Sequence, residues 1–505
     1  MAAEKCAEIV QRISISSGQE LMAALQDLSA LFNSPSFSLR ELVPHIPVHL
    51  LFGCLSAKNE EQIDVCKGIL KKLLSLEKAD AVITQYHDFV IEGMNHPVFE
   101  VRELCLSELE RCSATINGLE ALLGNVDVLV YTVRALSDEN LSCAKLATKT
   151  LVNTAKHDSG LELLFQHQIK SEFEALLLKK DVIRFRVYEL IVTIQALSDR
   201  AFEYCKRCGI LEKLGKELDG DDMLLRLNCI ELLTQMADSG KNGLMFAEEI
   251  GVVKRLYNLL LSGDADPLMS LMLPSIIRFF GFLAQSRPVE VTEQYPAFLQ
   301  NVFSFLTACD PAPKLIAIET VGAISLSEAG LRVVFDNTIC NDEVMKILCS
   351  NIRSSDADIR SRSLEALVSI FYSPNVPSDE LSLLAKSLFT AMTSNPLQTL
   401  LDLSRQPFED VHCAVLKVFT SLAKYKWAQE HMTTCPGFLE YLMDRSTETD
   451  KAGKEQKYEL IVALLRSPFS KETFEKPFHL RLREYEREGP FYVRVQAAVA
   501  FEGAD

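Results

Sequence analysis

Apolar and polar positions along this chain repeat one figure. A polar or basic residue is followed four positions later by Leu or Ile, as in Arg102 and Leu106, Arg186 and Leu190, Arg226 and Ile230, and Arg360 and Leu364. An apolar residue stands just before each arginine, namely Val101, Phe185, Leu225 and Ile359. Weaker copies begin at Ser142, Ser270, Lys314, His412 and Gln456, so that successive copies are 40, 44, 40, 44, 44, 46, 52 and 44 residues apart. The fourth-position column reads Leu106, Leu146, Leu190, Ile230, Pro274, Ile318, Leu364, Leu416 and Leu460. One residue further on, the column is mixed and often polar: Ser107, Ala147, Ile191, Glu231, Ser275, Glu319, Glu365, Lys417 and Ile461. A helix with one buried stripe produces adjacent columns of such different character.

A period of roughly 40–47 residues is that of armadillo and HEAT repeats. The expected fold is therefore all-α: an armadillo/HEAT-like helical-repeat solenoid, wound as a right-handed superhelix with a concave groove. One such unit cannot bury its apolar face alone, and stacking makes a continuous core. Turn signals punctuate the copies at Asp138-Glu139-Asn140, Gly220-Asp221-Asp222, Gly263 to Pro267, Asp310-Pro311 and Ser354-Ser355-Asp356. Their Asp and Ser side chains suit helix N-caps, and Pro suits a first helical turn. Residues 1–95, with helical stretches around Leu21–Phe32 and Val48–Leu55 separated by Pro35, Pro44 and Pro47, read as atypical N-terminal capping repeats. Residues 96–466 read as repeats of about 40–46 residues, and residues 467–505 as a C-terminal cap with an irregular tail after Pro490. The long step before His412 implies an insertion, near Ser373–Pro377 or Asn395–Gln406.

Composition narrows the function. The 505 residues carry 52 basic and 69 acidic side chains, a net charge of −17. A surface this acidic repels phosphates, so nucleic acid is not expected as a partner. The most apolar stretch, Leu268 to Ala284, carries Pro274 and Arg278 and falls short of the roughly 20 apolar residues a membrane span needs, so it reads as a buried helix. No targeting segment stands out at the N-terminus, and 14 cysteines then imply free thiols in a reducing compartment. The expected location is the cytoplasm, with the nucleus as a second site.

No pattern of catalysis appears. There is no phosphate-binding glycine loop, nucleophile elbow or His-Glu-x-x-His pair. Cys205-Lys206-Arg207-Cys208 lacks the second ligand pair that zinc requires and the βαβ context of a redox motif, so it reads as helix packing. His45 and His49 are a pair at helical spacing, and two ligands cannot close a metal site. Trp427, the single tryptophan, reads as helix-end packing, and the stretch Arg481 to Arg487 as a salt-bridged face. No enzyme activity, cofactor or metal is therefore expected. Function falls to the groove, where Glu231, Gln235, Glu319 and Glu365 are the candidate partner-binding residues.

Longer strings make the likeness specific. They include Arg184-Phe185-Arg186-Val187-Tyr188-Glu189-Leu190, the run from Gln406 through Pro407-Phe408-Glu409-Asp410 to Thr420, and Pro436-Gly437-Phe438-Leu439-Glu440-Tyr441. Tyr295-Pro296-Ala297-Phe298, Lys457-Tyr458-Glu459-Leu460 and Leu480-Arg481-Leu482-Arg483 with Gly489-Pro490-Phe491-Tyr492-Val493 extend the match over residues 95–495. In these the chain resembles the family of proteasome non-ATPase regulatory subunit 5, chaperones for assembly of the base of the proteasome regulatory particle. The resemblance implies binding to the C-terminal domain of a proteasomal AAA ATPase, regulatory subunit 7. It also implies an early module with a second ATPase and the large non-ATPase scaffold subunit, and absence from the mature proteasome. It maps no contact residue onto this sequence. Two other readings stand beside it: a general armadillo adaptor binding extended basic peptides, against which a single Trp and no recurring Asn ladder argue, and an enzyme with an undetected site.

Overall fold

A computed structural model describes residues 2–34, 42–55, 59–262, 271–335 and 343–492. Among the described residues there are helices and turns and no strand. The chain divides into two compact units, Met1–Ile250 and Gly251–Asp505.

Each unit is organised around a row of long helices. In the first unit these are α1 (Gly18–Asn33), α2 (Glu60–Leu76), α3 (Phe99–Ser113), α4 (Leu141–Ala155), α5 (Asp181–Gln195) and α6 (Met223–Asp238). In the second they are α7 (Leu273–Ser286), α8 (Pro311–Ile324), α9 (Ala357–Ile370), α10 (Glu409–Leu422) and α11 (Lys451–Arg466), closed by α12 (Lys476–Glu488). Within each unit every long helix packs on the next of its row. Shorter helices connect them, as Asp158–Leu164 and His167–Leu177 connect α4 to α5.

From α2 to α6 and from α7 to α11 the long helices of each row run parallel and in step, because two α-helices intervene between successive members. Hydrogen bonds across the row match N-terminal ends with N-terminal ends and C-terminal with C-terminal. The Cys143 thiol of α4 points to the Phe99 carbonyl of α3 at 3.7 Å, while Asn153 donates to Ser113 Oγ at 3.2 Å near their other ends. Gln195, ending α5, donates to Ser239 Oγ just past α6 at 2.8 Å.

Local chemistry starts these helices where the turn residues stand. Asn140, Asp222, Asp310 and Asp356 are N-caps whose side chains accept the first free backbone amides of α4, α6, α8 and α9. Such a cap contributes about 1 kcal/mol. The recurring arginine holds neighbouring turns together. Arg102 donates to both oxygens of Asp138 at 2.6 and 2.9 Å and to the carbonyls of His96 and Pro97. Arg186 reaches back to the carbonyls of Leu136 and Asp138 at 2.9 and 2.7 Å, and Arg360 to that of Ser354. Burial opposes ionisation of Asp138, yet the Arg102 hydrogen bonds, the Asn140 amide and the Arg186 charge outweigh it and hold its pKa below the usual carboxylate value.

The apolar column lies in the core. Leu106, Leu190, Ile230, Ile318, Leu364, Leu416 and Leu460 are fully buried. Each such side chain contributes about 1.5–3 kcal/mol relative to exposure. Two members depart from the expectation. Leu146 is half-buried and its neighbour Ala147 is fully buried, so that copy is shifted by one residue. Pro274 is the second residue of α7, a position that suits its missing amide and not a core contact, and the core there is Ile276, Ile277, Phe279 and Phe280.

The apolar stretch ending at Ala284 is the buried helix α7. Among the described residues no helix is long and apolar enough to cross a membrane. The insertion is the irregular loop after α9 together with the lengthened helix Asp379–Met392, whereas Pro396–Ser404 is an ordinary helix. Trp427 is buried in the first turn of Lys426–Thr434, against Phe389 and Tyr425. His49 lies in the helix Val48–Cys54 and His45 in a separate 3-10 turn, Val43–His45, so they do not share a helix. The charges from Arg481 to Arg487 do not form the expected salt-bridged face. Among the described residues they make no ion pair with one another, and α12 is held by buried Leu482 and Tyr485 instead. The helix Ala2–Ile15, which precedes α1 and packs on it, was not apparent from the pattern. Pro35, the turn from Gly263 to Pro267, Ser270 and the tail from Val493 lie outside the described residues.

A feature absent from the apolar pattern sets how the short helices dock. The third residue of four of them is glycine: Gly118, Gly160, Gly243 and Gly330. A Cβ at these positions would lie 2.4 Å from the Cys112 carbonyl oxygen, 2.2 Å from that of Thr154, 1.9 Å from that of Met236 and 1.9 Å from that of Ile324. Each oxygen belongs to the closing turn of the preceding long helix, so the short helix is seated directly on the end of the long one.

Candidate functional site

The exposed edges of the long helices carry the candidate residues. Glu231 and Gln235 sit one turn apart on α6, both exposed. In the second unit Glu319 of α8 and Glu365 of α9 meet at Arg362 of α9. Its guanidinium lies 3.1 Å from Glu319 Oε1 and 2.9 Å from Glu365 Oε2, with all three side chains at least 39% exposed. These two acids are thus partly neutralised in an exposed bridge of small energetic weight. The structure pairs Glu319 with Glu365, and it places Glu231 and Gln235 in the other unit.

Residues missed by the sequence reading form a row along one edge of the first unit. Phe99, Leu141, Val182 and Leu224 occupy the first turn of α3, α4, α5 and α6 and are 39%, 55%, 66% and 71% exposed. Those helices are parallel neighbours, so the four side chains line the same edge, one per repeat. Neighbouring helix axes are about 8–10 Å apart, giving a row on the order of 30 Å long. Single exposed apolar residues are ordinary, but a periodic set is an arrangement that suits protein contact. The signal was present as an apolar residue in the first or second position of each of these helices. It was hidden because apolar positions within a helical period are read as core.

Cys205 and Cys208, the Cys-x-x-Cys pair, are free thiols shielded from reaction. Cys205 and Cys208 are both buried on the helix Asp199–Cys208, and Cys208 Sγ donates to the Cys205 carbonyl at 2.9 Å. Burial raises the pKa of both, Cys208 to about 11. They pack a helix, as their context implied.

Comparison with known proteins places these features in a lineage. In fold, the chain resembles yeast importin-β, with a TM-score of 0.61 at 12% identity over 97% of this chain and 63% of that one. A Kap95:Nup1 complex gives a TM-score of 0.62 at 12% identity, covering 97% of this chain and 65% of that chain. Both are far longer and very different in sequence, so the likeness concerns the helical-repeat solenoid alone. The sequence relatives are closer. The 26S proteasome non-ATPase regulatory subunit 5 of Bos taurus is 35% identical over 506 residues, covering all of both chains. Its Homo sapiens counterpart is 34% identical over 491 residues, covering 96% of this chain and 97% of that one. That of Drosophila melanogaster is 26% identical, covering 88% of this chain and 86% of that one. Residues 2–505 match the family described as proteasome non-ATPase 26S subunit. The chain belongs to that family.

Proposed function

We propose that this protein is a non-catalytic chaperone in assembly of the base of the proteasome regulatory particle. It binds the C-terminal domain of an AAA ATPase subunit, regulatory subunit 7, in an early module with a second ATPase and the large non-ATPase scaffold subunit. It then leaves before the mature particle forms. The observation that carries this reading is the full-length match to relatives named for the 26S proteasome. The fold is consistent with it: helical repeats whose exposed helix edges offer contact area. Binding one subunit stabilises it by mass action, and a competing surface in the growing particle suffices for release.

The test is a pull-down with mass spectrometry and native-gel separation. Recovery of free base ATPases and the scaffold subunit without the proteolytic core is the expected result. Complete proteasomes in the eluate would make the chain a stable subunit, and recovery of neither set of proteins would remove the assembly role. The contact surface is tested with the purified ATPase C-terminal domain. Lysine at Glu231, Glu319 and Glu365 together, or serine at Leu141 and Leu224 together, is expected to weaken binding by about tenfold or more. Unchanged binding in either variant removes that surface from the interface.

A further inference from the structure

The second unit holds a partly buried cluster of ligand-type side chains at the N-terminal ends of α10 and α11. His412 and Cys413 stand in the first turn of α10, and Asp450 is the N-cap of α11. The ligand atoms of His412, Cys413 and Asp450 all lie within 4.8 Å of one another. His412 Nε2 is 3.0 Å from Asp450 Oδ2 and 3.6 Å from Glu448 Oε2. His412 is 7% exposed and Glu448 is 2% exposed.

Each carboxylate has one oxygen anchored and one turned toward the imidazole. Asp450 Oδ1 accepts the Gly453 amide at 2.5 Å, which leaves Oδ2 facing His412. Glu448 Oε1 accepts the Tyr441 hydroxyl at 2.9 Å and the Thr447 hydroxyl at 3.1 Å, with the Lys457 ammonium 3.8 Å away. Glu448 Oε2 is buried and has no hydrogen-bond partner. A single proton on His412 Nε2 serves one of the two facing oxygens and leaves the other unmet, an expensive state for a buried carboxylate. The space between the groups is kept open by Gly453. A Cβ there would lie 2.9 Å from Glu448 Oε2, 2.9 Å from His412 Nε2 and 3.2 Å from Asp450 Oδ1.

We propose that this cluster is a site for a zinc-like divalent transition-metal ion, held by His412, Glu448 and Asp450, with Cys413 as fourth ligand. Nitrogen and oxygen ligands about 2.1 Å from one tetrahedral ion lie roughly 3.4 Å apart. The observed 3.0 and 3.6 Å bracket that spacing. The donor set of imidazole, carboxylate and thiol suits zinc and cobalt better than magnesium or calcium, which take oxygen alone. Tyr441, Thr447 and the Gly453 amide orient the carboxylates from outside, as outer-shell groups do in metal sites. Such an ion ties the irregular segment 444–450 to α10 and thereby fixes the start of α11. The proposal is independent of the assembly role.

The test uses the full chain, stripped by chelator dialysis and titrated with Co2+ alone as a spectroscopic stand-in for zinc. The expected result is saturation at one equivalent, with tetrahedral cobalt bands in the visible and a near-ultraviolet thiolate band. Cys413→Ser removes the thiolate band. Asp450→Asn, which keeps the capping oxygen, weakens binding by more than about tenfold, and His412→Gln abolishes it. Helix content by circular dichroism identifies any variant that fails to fold, and Asp450→Asn then decides. Two results overturn the site: no saturable visible bands at one equivalent, or the same spectrum in Asp450→Asn as in the parent, which assigns the cobalt to other thiols.

Discussion

Alanine at Gly330 measures how tightly a short helix is seated on its long neighbour. The added Cβ would lie 1.9 Å from the Ile324 carbonyl oxygen and 2.9 Å from its carbon. A carbon–oxygen contact normally relaxes to about 3.3–3.6 Å, so the helix Glu328–Phe335 must retreat by more than about 1 Å or the end of α8 must open. Overpacking of that kind costs about 1–3 kcal/mol. Alanine's better helix propensity returns about 0.5–1 kcal/mol. The net loss is about 1–2 kcal/mol, and at about 2–4 °C per kcal/mol for a unit of this size the Tm falls by about 2–8 °C. Gly68 is the control, since it lies inside α2 with nothing within 4 Å of a built Cβ. Gly68→Ala should raise stability by up to about 1 kcal/mol. Thermal and urea unfolding followed by circular dichroism reads both variants. The emission of Trp427, the single tryptophan, reports the second unit separately. If Gly330→Ala melts at or above the parent temperature with full helix content, the seating argument is wrong.

Two further predictions concern charge. Asp138→Asn removes the carboxylate that Arg102 grips with two hydrogen bonds, and the pair is largely buried, with side chains 18% and 7% exposed. The expected loss is about 2–3 kcal/mol at neutral pH. Because the folded pKa of Asp138 is depressed, its contribution is present above the unfolded carboxylate value and fades as pH falls through the folded one. The parent–variant gap in urea midpoint should therefore narrow in acid, and a gap that widens refutes the assignment. His87 behaves in the opposite sense. Hydrogen bonding to Asp88 raises its pKa, burial opposes this, and Asp127 on the far side adds to the rise, with ring nitrogens 2.9 Å from each carboxylate. Its stabilising effect is complete below the unfolded value of about 6.5 and is lost as pH rises through the raised folded value. Melting of His87→Gln beside the parent, from pH 5.5 to 8.5, should show the larger deficit at the acidic end.

What could be read from the sequence followed from requirements that are local. A helix start needs an acceptor for its free amides, and Asp222, Asp310 and Asp356 declared those starts by residue type alone. A buried stripe needs Leu or Ile at a fixed interval, and that column located α5, α8 and α10 correctly. What could not be read depends on neighbours distant in the chain. Glu319 and Glu365 looked like two independent groove residues until Arg362 was found between them. His412 and Asp450 are separated by 38 positions and meet only because α10 and α11 are parallel and in step. The apolar reading also failed in one direction. Phe99, Leu141, Val182 and Leu224 are apolar and exposed, a combination that periodicity assigns to the core. The third-residue glycines went unremarked because the need for a missing side chain arises from the carbonyl beneath it, which no local pattern displays.

The row of apolar first-turn residues bears on how a partner would come off. Four side chains, each on its own repeat, make a ladder and not a pocket. Each rung is worth a fraction of the roughly 1.5–3 kcal/mol of a fully buried aliphatic side chain. Holding on at all four is firm, while losing one is cheap. A surface grasped this way can be peeled from one end, with a competitor taking each rung as it is vacated, so exchange proceeds through small barriers and never requires the whole grip to fail at once. A deep single pocket of equal total affinity has no such path.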